Sequence, residues 1–342
     1  MITVREARPD DEPVLLELAR ATMPGWVRLR YDYGTGYAAA EGLKGECVKV
    51  LVVEDDVRGI LGCTTRAVRE CWLDGCRASV GYQSGVRSYP DARKGLGFFR
   101  GLARVRSLME ETPCALDFVT VLDGNPEAMA LFTSGRVGLP KFADCGRVVT
   151  WTVSSREAAS CAPTDWLELQ AFYDRESPRR QMFPFFGEAV RRRFSVNDFV
   201  AVRRNNRLVA AAAVWRQGAT RRIFIDGYGN GILALIRPAV NFASRLTGRP
   251  VLPPSGWEFP CSYLAYALVE NDDPSVFAEL LRIAAAKACP GNLVLSLHEN
   301  DPLVLGMKGF SSWRYISHFM TYSFSGNPRR IVGVPHFEAG AL

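Results

Sequence analysis

Residues 78–122 run strand, turn, helix, strand, and that order dictates how the chain can pair. Residues 78–88 place Val80, Tyr82 and Val86 at alternate positions of an extended run. Pro90, Gly95 and Gly97 mark a turn, residues 96–111 carry helical periodicity, and residues 116–122 are a short apolar run of the buried-strand type. A strand that returns through a helix lies parallel to the strand it left. The strands before it differ. Residues 48–54 and 59–69 meet at Asp55-Asp56, and Asp74-Gly75 is a two-residue hairpin signal, so this part is an antiparallel meander.

A strand at residues 2–5 and a helix from about 12 to 21 precede the meander; a helix opened by Gly124-Asn125-Pro126 and a strand at 147–153 follow the crossover. Residues 23–45 read as a loop holding Trp26, Tyr31, Tyr33 and Tyr37 among glycines. The order then recurs. Thr164-Asp165 caps a helix, residues 183–194 read as another, and strands at 199–203 and 207–215 flank Asn205-Asn206. A strand at 262–270, a helix at 274–288, a strand at 292–298, a short helix after Asp301-Pro302 and a strand region at 313–324 complete it. The expectation is an α/β (α+β) chain of two similar units, 1–153 and 164–325, with a polar connection between them. Residues 218–260 are an insertion in the second unit, with an apolar and basic helix-like run at 232–246 that could cover a lipid-like acceptor, rest on a membrane surface or simply dock as a helix. Residues 326–342 read as an irregular tail.

With 48% hydrophobic and 23% charged residues over 342, each unit can bury a core of its own. A net charge of +6 favours an anionic ligand without amounting to a nucleic-acid signature, so no nucleic-acid partner is expected. The nine cysteines are scattered and form no CxxC pair; they read as free thiols in a reducing cytoplasm, and no metal site is expected. The chain starts polar and acidic, unlike a signal peptide, and no apolar run approaches the ~20 residues of a spanning helix.

The segment from Val80 to Gly97 resembles the acyl-CoA motif of the GNAT (N-acetyltransferase) superfamily, in which a strand ends at a proline and an Arg- and Gly-rich turn leads into a helix. Gly124-Asn125-Pro126 resembles the Asn-containing helix start that follows the family's fifth strand. The match in order covers residues 1–153. The resemblance implies GNAT-like acyltransferase folds in tandem, the second degenerate, each a mixed, mostly antiparallel sheet flanked by helices. It implies acetyl-CoA or another acyl-CoA as donor, with Val86, Arg87, Arg93, Lys94, Gly95, Leu96, Gly97 and Asn125 as its contacts. A glycine turn entering a helix suits a pyrophosphate, because it presents free N–H groups and the positive end of the helix dipole.

The reaction implied is N-acyl transfer by direct attack on the thioester, with acetyl passing to a small amine or amino-acid-like acceptor and a backbone N–H near Val86 serving the oxyanion. Two positions depart from the family pattern. Ala92 stands where an Arg or Gln is usual, and Phe132 where many members place a Tyr that protonates the thiolate. Candidates for moving protons are Tyr82, Tyr89 and Glu70. Trp26, Tyr31 and Tyr33 fall where the family builds its acceptor pocket, and their rings could hold an amine by cation–π contact. The second unit's corresponding turn, from Glu270 to Pro274, has three acids and no glycine, so CoA is expected only in the first. The rival readings are a transferase dependent on aminoacyl-tRNA or acyl carrier protein, and a CoA-binding or scaffold protein without turnover.

Overall fold

The computed structural model describes residues 1–23, 25–92, 96–154, 163–229, 231–288 and 290–342, without the Leu96 side chain. The strands are β1 (Ile2–Glu6), β2 (Val27–Asp32), β3 (Cys47–Asp55), β4 (Gly59–Leu73), β5 (Cys76–Ser88), β6 (Leu116–Leu122), β7 (Lys141–Ser154), β8 (Phe183–Pro184), β9 (Phe199–Arg204), β10 (Arg207–Trp215), β11 (Arg222–Tyr228), β12 (Cys261–Val269), β13 (Asn292–His298), β14 (Ser312–Ser323) and β15 (His336–Phe337). The α-helices are α1 (Glu12–Ala19), α2 (Tyr37–Glu41), α3 (Leu96–Glu111), α4 (Pro126–Phe132), α5 (Trp166–Glu176), α6 (Glu188–Arg193), α7 (Gly231–Thr247) and α8 (Pro274–Lys287). Among the described residues no helix is long and apolar enough to cross a membrane.

One sheet runs through the molecule in the order β1-β3-β4-β5-β6-β14-β7-β13-β12-β10-β9. The two crossovers give its parallel pairs, β5 with β6 and β12 with β13. At the centre the two halves exchange strands. β14 of the second half lies between β6 and β7 of the first, and β7 pairs onward with β13. Each half therefore finishes its sheet with a strand of the other.

Alternation along the strands builds a core on each face. In β10, Ala211, Ala213 and Trp215 join the cluster under α5, whereas Ala210, Ala212 and Val214 join the one under α8. In β3, Val52 packs with Leu15 and Leu18 of α1, and its neighbour Leu51 packs with Val105 and Leu108 of α3. The hairpins turn where expected. Asp74 and Gly75 take φ of 51° and 76°, Asn205 and Asn206 51° and 61°, the left-handed values that two-residue turns demand.

Three expectations change. Residues 183–194 are not one helix. Phe183-Pro184 is extended and pairs with Cys71-Trp72, because a residue before proline avoids the helical region; α6 starts only after Gly187. The aromatic loop contains β2 and α2, and the insertion contains β11; β2 and β11 pair with each other as a separate two-stranded sheet. The tail is not irregular throughout. β15 adds to β13, and Phe337, Ala339 and Ala341 are buried.

Candidate active site

β5 pairs with β6 only at Val80, Gly81 and Tyr82. Beyond Tyr82 the two strands part, while β5 continues along β4 to Ser88. The register of β4 and β5 shifts between Cys63–Arg87 and Thr65–Ser84, which bulges β5 at Gly85 and Val86. Gly85 has φ 62°, and a Cβ there would lie 3.5 Å from both Glu41 Oε2 and Tyr37 Oη. These are ordinary van der Waals distances, so the residue is glycine because the backbone is left-handed.

A cavity of about 270 Å³ opens at this fork. Its floor is one face of the main sheet, built from alternate residues: Tyr82 and Ser84, Thr120 and Leu122, Thr150 and Thr152, Val294 and Ser296, Trp313, Tyr315 and Ser317. Its roof is the small sheet, through Val27, Leu29 and Tyr31 of β2 and Ile223 and Ile225 of β11. Tyr315 ties floor to roof, donating from Oη to Val27 O at 2.6 Å. Both halves of the chain are needed to enclose the space.

The cavity is polar beside the bulge. Glu41, on α2 and 1% exposed, accepts from Lys44 Nζ at 2.7 Å on each carboxylate oxygen. The same Nζ donates to Ser84 Oγ at 3.0 Å, which links the pair to the bulged strand. Burial lowers the Lys44 pKa, against the opposing pull of Glu41. Burial pushes the Tyr82 phenol up to about 12; its Oη pairs with Thr120 Oγ1 at 3.0 Å. The Cys63 thiol, raised by burial to about 11 and 3.6 Å from Tyr37 Oη, is no ready nucleophile. Across the cavity the buried Arg221 guanidinium sits over the rings of Tyr31 and Tyr263 at 5.2 and 5.3 Å. It donates to Gln217 Oε1 and to the carbonyls of Gly340 and Leu342, so the tail closes that wall.

The structure brings Trp26, Tyr31, Tyr33, Tyr82 and Arg87 to this one cavity. Val86 is exposed on the bulge. Glu70 and Tyr89 do not line the cavity. Glu70 pairs with Arg77 at the surface, roughly 17 Å along β4 from Thr65 at ~3.3 Å per residue. Tyr89 packs beside α1. Arg93, Lys94 and Gly95 lie outside the described residues. Gly97 packs on β3, where a Cβ would meet Val53 Cγ1 at 3.0 Å. Asn125 caps α4 by accepting from Ala128 N at 3.2 Å. Phe132 stacks on Phe142 with centroids 4.6 Å apart. Sequence reasoning missed Glu41 and Lys44. Their spacing is that of an ordinary surface ion pair, and the only hint was the apolar Tyr37-Ala38-Ala39-Ala40 run before them.

No family model and no curated protein sequence matches this chain. Solved structures do. A GCN5-related glucosamine N-acetyltransferase region in a fungal multi-domain GH3 β-N-acetylglucosaminidase aligns at TM-score 0.62 and 13% identity over 94% of this chain. This chain spans 38% of that longer one. The N-myristoyltransferase of Saccharomyces cerevisiae, solved with bound myristoyl-CoA, aligns at TM-score 0.59 and 10% identity over 96% of this chain and 80% of its own. A GCN5-related N-acetyltransferase from Anabaena variabilis ATCC 29413 aligns at TM-score 0.51 and 7% identity, over 94% and 72%. At such identities the likeness is one of fold, that of the GCN5-related N-acetyltransferases.

Proposed function

We propose that the chain is an acyl-CoA-dependent N-acyltransferase whose donor lies along the first unit, residues 1–153, and whose acceptor enters the cavity that the second unit, 164–325, helps to enclose. The observation that carries this reading is the fork of β5 and β6 with its bulge at Gly85. A strand edge left open in a protein interior suits an extended ligand arm that pairs with backbone. The donor residues proposed are Val86 and Arg87 on that edge, Arg93, Lys94, Gly95, Leu96 and Gly97, and Asn125. Bound acyl-CoA supplies a thioester activated for attack by an amine.

The chain's own groups suit the rest of that chemistry. Backbone N–H groups at the bulge are fixed donors for an oxyanion. Glu41 can take a proton from an attacking amine, and Lys44 Nζ, its ammonium weakened by burial, can give one to the departing sulfur; passage of the proton from Glu41 to Lys44 then resets the pair. Tyr82 stays protonated and offers a second donor at the same edge. The apolar and aromatic far end, with Trp26, Leu29, Trp313 and Tyr315, fits an acceptor that carries a hydrophobic body. Acetyl is the simplest acyl group, and a small or amino-acid-like amine the acceptor class proposed.

The test is thiol release from acetyl-CoA and longer acyl-CoAs, offered with a panel of primary amines. Release that requires an amine, and N-acylated product by mass spectrometry, would support the reading. A folded protein that binds no acyl-CoA by calorimetry would end it.

A further inference from the structure

α7 packs Leu233 and Val240 on the core but leaves a second apolar stripe on a water-facing surface. Ile232, Leu235, Phe242 and Leu246 point outward with exposures of 67%, 81%, 65% and 75%. Its buried residues are polar, Asn241 and Ser244. Asn241 is satisfied inside: its Nδ2 donates to Leu252 O and its Oδ1 accepts from Leu252 N, each at 2.9 Å. Arg237 donates to the same carbonyl at 3.1 Å. The orientation of the helix is thus fixed by specific bonds, and the apolar stripe is left outside by construction. Leaving several large apolar side chains in water forgoes ~1.5–3 kcal/mol for each one that could be buried.

We propose that this face docks on an anionic phospholipid bilayer. Charge complementarity points to that occupant. From Gly227 to Trp257 the chain has three arginines and no aspartate or glutamate. Arg245 and Arg249 are exposed at the end of the apolar stripe. Trp257 is 66% exposed, and Trp26, 38% exposed, lines a groove with Ile232, Leu233 and Ile236. Exposed indole rings beside leucines and arginines are what a helix lying in the headgroup region presents. Trp26 also lines the main cavity, so docking would set the cavity's apolar end toward the lipid.

The experiment is co-sedimentation of the full chain with extruded vesicles, of phosphatidylcholine alone or mixed equally with phosphatidylglycerol. Wild type is compared with L235E/L246E, whose changed side chains touch little of the fold. Wild type is expected to pellet with the anionic vesicles and to be released by salt. The double variant, with an unchanged melting temperature, is expected to bind at least about tenfold more weakly. Three results would overturn the proposal: wild type that stays in solution with both vesicles, binding that the double substitution leaves unchanged, or a vesicle-free dimer of wild type that the variant turns into monomer. The last would make the face a contact between two copies.

Discussion

Gly85 and Tyr266 hold the same place in the two halves of the sheet. Each is a left-handed residue, φ 62° and 52°, at a register shift where the strand before the crossover bulges from its antiparallel neighbour. Their surroundings differ. Gly85 lines the cavity. Tyr266 is stitched in, its N–H donating to Glu338 Oε1 at 2.8 Å and its carbonyl accepting from Tyr173 Oη at 2.6 Å. In the second half β12 and β13 also part after three paired residues, and β15 with the residues after it fills the fork. Calorimetry should therefore find one acyl-CoA per chain. Two equivalent sites would contradict the assignment of the donor to the first half.

Gly85→Val should lose acyl-CoA binding and cost ~1–3 kcal/mol of stability. A β-branched residue is strained at positive φ. Calorimetry and urea denaturation measure the two effects separately.

Glu41→Gln keeps shape and removes the carboxylate. The maximal rate should fall by about 10²–10⁴ with the KM for acyl-CoA little changed. The melting temperature should fall as well, since Lys44 is left buried without its partner, whereas a purely structural Glu41 would leave the turnover of the folded fraction intact.

Lys44 makes stability depend on pH. Its pKa is lowered in the folded chain, so between that lowered value and the ordinary lysine value near 10.4 the unfolded chain binds more protons. The unfolding free energy should rise as pH rises through this window. Lys44→Met should be less stable throughout, since Glu41 is left buried without its partner, and should lose the slope. Urea midpoints taken from neutral to alkaline pH give both.

Asp117→Ala should cost about 3–5 kcal/mol. Arg66 and Asp117 form a buried ion pair at 2.8 Å, and Arg66 also donates to the carbonyls of Leu108 and Thr112. Removing the carboxylate strands the guanidinium. The measurement is the shift in denaturation midpoint, with acyl-CoA binding as the control for a local effect.

The fold was legible wherever local chemistry decides it. The crossover at 78–122 and the turns at Asp74-Gly75 and Asn205-Asn206 need no distant partner to be recognised. The roof of the cavity was not legible, because β2 and β11 pair across about 190 residues and neither shows a strand pattern strong enough to stand alone. The same holds for the tail, whose short run at His336-Phe337 becomes a strand only against β13. Of the residues singled out by side-chain type and position, Trp26, Tyr31, Tyr33 and Tyr82 line the cavity and Tyr89 and Glu70 do not. Glu41 and Lys44 could not be singled out, since burial makes them unusual and burial is a property of the assembled cavity.

The exchange of central strands has a consequence for how the protein is made. β6 is synthesised about 190 residues before β14, the strand it must pair with. Until then its edge is open on the ribosome. The first half, although contiguous in the sequence, cannot complete its sheet as the chain emerges, and the two halves close together only once β14 has been made. A product truncated before β14 would keep that edge bare, which is the kind of edge that pairs with another chain.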